Sequence, residues 1–200
     1  DGFIRDGLKE ITDTGSPEAV ESLSYHLANN KKVLDETIIG ISVVDLNGKI
    51  VASTDKDEIG KSEKEDKYFI KGKEGVFVID FVGHEHFGHK SYFIVSAPVL
   101  DKNTKELLGV IVNIFDTTKI ESILSGQFQI EEENISKEEG YTKIIDSYLV
   151  NNKKEIIVYS ATEEKNGLHI IVDTLPVRKC REDGEEIVDQ YINYNGVEVI

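Results

Sequence analysis

The spacing of apolar residues changes at Thr37, and that change constrains the fold more than any other feature of the chain. Before it, Phe3, Ile4, Leu8 and Ile11 lie on helical spacing, and Val20, Leu23 and Leu27 recur at i, i+3 and i+7 as one apolar stripe. Asp-Thr-Gly-Ser-Pro at 13–17 separates the two stretches. Ser16 followed by Pro17 predicts a helix start: a serine hydroxyl can accept a first-turn amide hydrogen, and proline has none to leave unpaired. Asn29-Asn30 predicts the end of that helix. After Thr37, residues 38–46 and 49–54 are rich in β-branched side chains and flank Asn47-Gly48, a pair that tolerates the positive φ of a tight hairpin. Strands joined this tightly are antiparallel.

The same pattern continues downstream. Residues 55–67 (DKDEIGKSEKEDK) read as a charged, glycine-containing loop, and 68–73 as a short helix ending at Gly72 or Gly75. Residues 76–82, 91–100 and 107–115 predict three more strands, with turns at 83–88 and 101–106. The result is an α+β fold with a five-stranded antiparallel sheet covered by helices on at least one face. A short helix at 117–125 leads into a polar linker. Strands at 143–151 and 155–161, a helix near 175–181, and strands at 186–194 and 197–200 then follow.

The second half echoes the first. SVVDLNGKIVAS at 42–53 and SYLVNNKKEIIVYS at 147–160 share strand, Asn-containing turn, Lys, strand and Ser; Glu74-Gly75 after one helix matches Asp183-Gly184 after the other. Both echoes have an offset of about 105–109 residues, which predicts a duplicated module. Asn195-Gly196 opens a hairpin whose second strand has just begun at Ile200, so the second module is expected to be incomplete.

The chain has 200 residues, with 38 acidic against 23 basic side chains and a formal net charge of −15. That charge repels phosphate backbones and argues against nucleic acid as a partner. The apolar share of 39% suits a folded core rather than wholesale disorder. No apolar run approaches the roughly 20 residues that span a bilayer. The absence of Met and the Asp at position 1 are expected of a piece of a longer chain, and the single Cys180 leaves no internal disulfide.

VVDLNGKIVASTDKDEIGK at 43–61, DKYFIKGKEG at 66–75 and SYFIVSAPVLDKNTKELLGVIVNIFDTTKI at 91–120 together resemble the membrane-distal half of a double Cache sensor domain, a PAS-like fold. SYLVNNKKEIIVYSAT at 147–162 and VDTLPVRKCREDGEEIVDQYINYNGVEVI at 172–200 are similar to the membrane-proximal module of the same family. The resemblance implies an N-terminal helical segment at 1–32, a distal module at 33–120, a linker at 121–142 and a truncated proximal module at 143–200. It also implies an extracytoplasmic position between membrane-spanning helices that lie outside this sequence. The parent is expected to be a receptor, a sensor histidine kinase above all. The distal module would bind a small molecule and the N-terminal helix would relay the signal and offer a surface for homodimer contact. No cofactor is expected.

In the amino-acid-binding branch of that family, an Arg two positions before an aromatic pair holds the ligand carboxylate, and an Asp at the end of the module's last strand holds the amine. The aromatic pair matches Tyr68 and Phe69, the later acid matches Asp116, and the Arg position holds Asp66. A guanidinium grips a carboxylate with a planar fork, whereas Asp66 repels one. Two carboxylates with aromatic faces suit an amine or other cation. Both acids have a second reading as helix caps, and either aromatic can instead be core. Alternation along 91–98 puts Tyr92 and Ser96 on one face of a strand covered on both sides. Ser96, and likewise Asp80, interrupts an apolar run, as a ligand contact or as a polar group satisfied by nearby backbone.

His84, His86 and His89 lie within six residues, a spacing that can hold zinc, nickel or copper, or simply mark a solvated hairpin tip. Gly88 occupies the position four after His84, so the helical zinc-protease pattern is absent. A metal-binding module or metal-dependent enzyme built on these histidines is the alternative function. Otherwise catalysis has little support: no phosphate-binding loop or nucleophile elbow occurs, and Cys180 has no partner histidine in sequence.

Overall fold

The computed structural model describes residues 1–81, 92–124, 147–159 and 170–199. The chain divides into two compact units, the first holding described residues 1–81 and 92–117 and the second 118–124, 147–159 and 170–199.

In the first unit, α1 (Gly2–Thr14) begins where the Asp1 carboxylate accepts the Phe3 amide hydrogen at 2.8 Å. It stops at Gly15, whose φ of 66° lets its N–H turn back to Ile11 O. Ser16 Oγ then accepts the Ala19 amide hydrogen at 3.2 Å and Pro17 opens α2 (Pro17–His26), as the sequence predicts. The expected stop at Asn29-Asn30 is overrun. A π-helical turn over Leu27–Lys31 and a 3-10 turn over Lys32–Leu34 carry the chain on. The two asparagines hold that extension: Asn29 Nδ2 donates to Tyr25 O and Asn30 Nδ2 bonds His26 Nδ1, each at 3.0 Å.

Strands β1 (Ile38–Asp45), β2 (Ile50–Ser53), β3 (Phe77–Phe81), β4 (Tyr92–Leu100) and β5 (Leu107–Asp116) pair antiparallel in the order β2-β1-β5-β4-β3. In the first hairpin, Gly48 takes φ 83° and Asp45 Oδ1 accepts the amide hydrogens of Asn47 and Lys49 at 2.9 Å. A short helix, α3 (Lys67–Gly72), precedes β3.

Both faces of the sheet are covered. On one, Ile4, Leu8 and Ile11 of α1 and Leu23 of α2 pack with Leu27 on Ile41, Val43, Ala52 and Val99. Each fully buried leucine contributes about 1.5–3 kcal/mol relative to exposure. Gly109 makes the closest approach: a Cβ there would run into Val44 O and come within 2.9 Å of Leu8 Cδ2. On the other face, Phe69 of α3 joins Val44, Ile50, Tyr92, Ile94, Val110 and Val112.

In the second unit, α4 (Thr118–Leu124), the hairpin of β6 (Tyr148–Val150) and β7 (Ile156–Tyr159), α5 (Leu175–Asp183) and the hairpin of β8 (Tyr191–Ile192) and β9 (Glu198–Val199) follow in order. Ile156, Val172 and Val177 form a small core flanked by Tyr148, Tyr159 and Tyr194, and Tyr194 OH donates to Tyr159 OH at 2.7 Å. The element order strand–strand–helix–strand–strand repeats that of the first unit, but a second continuous sheet is absent among the described residues. The strand expected over 186–194 forms only at Tyr191–Ile192. Glu185, Glu186 and Asp189 load the preceding stretch with like charge, and Val188 is 91% exposed. Nothing there is buried to offset the ordering cost of an extended chain.

Candidate functional site

The site is built on the α3 side of the first unit. The loop expected at 55–67 is tied down: Gly60 N–H donates to Ile50 O, Ile50 N–H to Lys61 O, and Glu63 N–H to Gly48 O at 2.7–2.9 Å. Residues 60–63 thus run along the outer edge of β2. The hairpin glycine serves twice, because any side chain at Gly48 would meet Lys64 backbone at 2.7 Å. Asp66 N–H donates to Glu63 O at 3.0 Å and starts α3. Asp66 occupies the helix N-cap position, yet its carboxylate makes no capping hydrogen bond.

Within α3, Tyr68 and Phe69 part company. Phe69 is 1% exposed in the core, with Lys73 Nζ 4.6 Å above its ring. Tyr68 is half-buried and its hydroxyl donates to Glu63 Oε2. Its main-chain carbonyl accepts the Ser96 hydroxyl hydrogen at 2.7 Å. Ser96 is 0% exposed, and Gly72 lies so close that a Cβ would come 2.7 Å from Ser96 Oγ. Ser96 therefore holds α3 down on β4.

Tyr92 at the start of β4 is buried, and its register partner is Asp116 at the end of β5. Asp116 is half-buried and its N–H donates to Thr37 O at 2.9 Å. Asp80 pairs in register with Phe93 across β3 and β4. His84, His86 and His89 lie outside the described residues. Among the described residues no group of three or more His, Cys, Asp and Glu side chains is placed to hold a metal ion.

The structure therefore brings Asp66, Tyr68 and Tyr92 together and sets Asp116 across from Tyr92, while Phe69 is buried in the core cluster that also holds Tyr92. It adds Glu63, which the sequence reading missed: one acid among six charged residues in the seven from 61 to 67 gives no signal until Tyr68 is seen to reach it. Burial pushes the Glu63 carboxyl above its usual range, and Asp66 and Glu58 push the same way against the Tyr68 hydrogen bond. Burial, then the bond to Glu63, raises the Tyr68 phenol, and burial raises that of Tyr92. Both phenols stay neutral donors at physiological pH. Acids clustered beside aromatic faces favour a cation over an anion.

No family model and no curated protein sequence matches the chain. Solved structures do. The sensor domain of the histidine kinase DctB of V. cholerae matches at TM-score 0.55 and 17% identity, over 80% of this chain and 55% of that one. The ligand-binding domain of the Campylobacter jejuni chemoreceptor Tlp3, in complex with 4-methylisoleucine, matches at TM-score 0.59 and 14% identity, over 95% of this chain and 71% of that one. Its complex with L-valine gives 0.56 and 12%, over 95% and 73%. The chain thus spans about half of the DctB domain. At these identities the likeness is one of fold: helices ahead of a five-stranded antiparallel sheet, similar to Cache-type sensor domains.

Proposed function

We propose that the chain is the ligand-sensing region of a membrane receptor, built as a double Cache domain. The first unit is the distal module and residues 143–200 are part of the proximal one. Its binding site lies at Asp66, Tyr68, Tyr92 and Asp116, with Glu63 beside them and Ser96 and Phe69 holding α3 in place. The region is non-catalytic, sits on the extracytoplasmic side of the membrane, and passes its signal through α1 to an output domain outside this sequence, a histidine kinase in our reading. The fold likeness to the sensor domains of a histidine kinase and a chemoreceptor supports sensing.

The ligand is a small amine or other organic cation. The observation that carries this is the convergence of Glu63 and Asp66 on Tyr68, where a carboxylate-binding site would need a cation. Binding signals only by its difference in affinity between two receptor states; a full switch needs about 10⁴-fold, or 5.5 kcal/mol. Calorimetric titration with primary amines, on wild type and on Asp66→Asn and Asp116→Asn, tests the proposal. Saturable amine binding that each variant weakens is expected. Amine binding that neither variant changes, or none at all, counts against it.

A further inference from the structure

The opposite face of the same sheet carries an open cleft of about 340 Å³, between α1 and the far ends of β4 and β5. Ile4, Val99 and Ile111 give it an apolar floor, and Asp1, Arg5 and Lys31 give it a polar wall. Two of those charges are already matched: Asp1 pairs with Lys31 and lies 3.2 Å from His26 Nε2. Arg5 is different. Its side chain is only 24% exposed, and its ion pair among the described residues is with the outward-facing Asp6 at 3.9 Å, beyond hydrogen-bond length. A guanidinium has five donors in a planar fork that fits a carboxylate. Here the side chain as a whole is largely withdrawn from water beside an apolar trough, and its fork has no close carboxylate acceptor among the described residues.

We infer that this cleft is a second ligand site, distinct from the one on the α3 side, and that it takes a small organic monoanion: a carboxylate held by Arg5, with a short apolar tail on Val99 and Ile111. The volume falls at the small end of ligand sites, which run from roughly 300 to 1,000 Å³. One cation is left without an acceptor at hydrogen-bond length, so one carboxylate fits, and a second would meet Asp1. Since α1 forms one wall and β4 and β5 the other, an occupant bridges helix to sheet. One helical turn along, Lys9 and Asp101 already bridge the same seam at 3.4 Å.

Hexanoate is the probe, titrated into the whole chain by calorimetry, with methyl NMR to locate it and hexylamine and adipate as comparisons. The expected result is saturable one-to-one binding of hexanoate in preference to both, with shifts at the Ile4, Val99 and Ile111 methyls. Arg5→Gln should weaken it at least about tenfold, Arg5→Lys by less, and Asp66→Asn not at all. The Arg5→Lys variant and the methyl map keep the test decisive if Arg5→Gln folds poorly. No saturable binding, shifts confined to other methyls, or an affinity untouched by either Arg5 substitution would overturn the inference.

Discussion

Ser96 donates its hydroxyl hydrogen to the main-chain carbonyl of Tyr68 at 2.7 Å, across 28 residues of sequence. That bond joins β4 to the helix that presents Tyr68. Ser96→Ala leaves a carbonyl in a buried setting without this partner, and such a loss costs about 1–3 kcal/mol. Urea unfolding should show that loss. A larger replacement, Ser96→Val, should cost more, because Gly72 leaves no room for added methyl groups.

Two glycines near Leu8 and Leu23 should respond in opposite ways to the same substitution. Gly109→Ala drives a methyl group into Val44 O in the closest-packed part of the core, and a loss of about 3 kcal/mol or more is expected. Gly7 lies inside α1, where a Cβ would meet Leu23 at an ordinary 3.5 Å. Gly7→Ala should raise stability by about 0.5–1 kcal/mol through helix propensity. Thermal unfolding of the two variants beside wild type gives both signs in one experiment.

The first unit was largely legible in the sequence because its signals are local. Ser16-Pro17, Asn47-Gly48 and the alternation along β4 each act within a few residues, and the structure realises them. Asn29-Asn30 misled, because their amides bond back into the helix that they were expected to end. Residues 55–67 form the expected loop, but its pairing with the edge of β2 uses backbone bonds that any sequence can make, so no residue there announces it. Of the site, Asp66, Tyr68 and Asp116 could be named from a resemblance. Glu63 and Arg5 could not, since what marks each is burial beside a partner or cleft, a property of the folded chain. The strand expected before Tyr191 failed because periodicity says nothing of whether another strand is there to pair with it.

Two acids should give opposite pH signatures. Glu63 has its carboxyl raised by burial above the ordinary 4.5. The stability its protonated form adds is complete below that value and is lost as pH rises through the raised one. Glu63→Gln keeps an acceptor for Tyr68 but cannot ionise. Its stability relative to wild type should therefore be flat below 4.5 and climb above it. Asp101 is held down to about 2, from an ordinary 3.8, by the amide hydrogens of Thr104 and Asn103 in the β4–β5 turn. Its contribution is present above 3.8 and lost as pH falls toward 2. Asp101→Asn should trail wild type at neutral pH and converge with it in acid. Denaturant titrations across pH would show either gap, and gaps that do not vary with pH would refute both assignments.

The last prediction exchanges the charge at the start of α3. Asp66 stands two residues before Tyr68 without a capping hydrogen bond to its helix, so replacing it removes no cap. Asp66→Arg would set a guanidinium fork beside the two phenols while Asp116 remains opposite Tyr92. On the proposed reading, the site then holds one cationic and one anionic anchor, which is the pattern of an α-amino acid. L-valine should bind where it did not, and a simple primary amine should lose at least about tenfold in affinity. Adding Asp116→Asn to the same chain should abolish the new L-valine binding. Among the described residues Glu63 is placed to interfere, since a carboxylate beside the new arginine competes with the ligand for its fork. Asp66→Arg combined with Glu63→Gln should therefore bind L-valine more tightly than Asp66→Arg alone. Calorimetry on the three chains measures this order directly, and an amine affinity that survives the charge exchange would place the cation site somewhere other than α3.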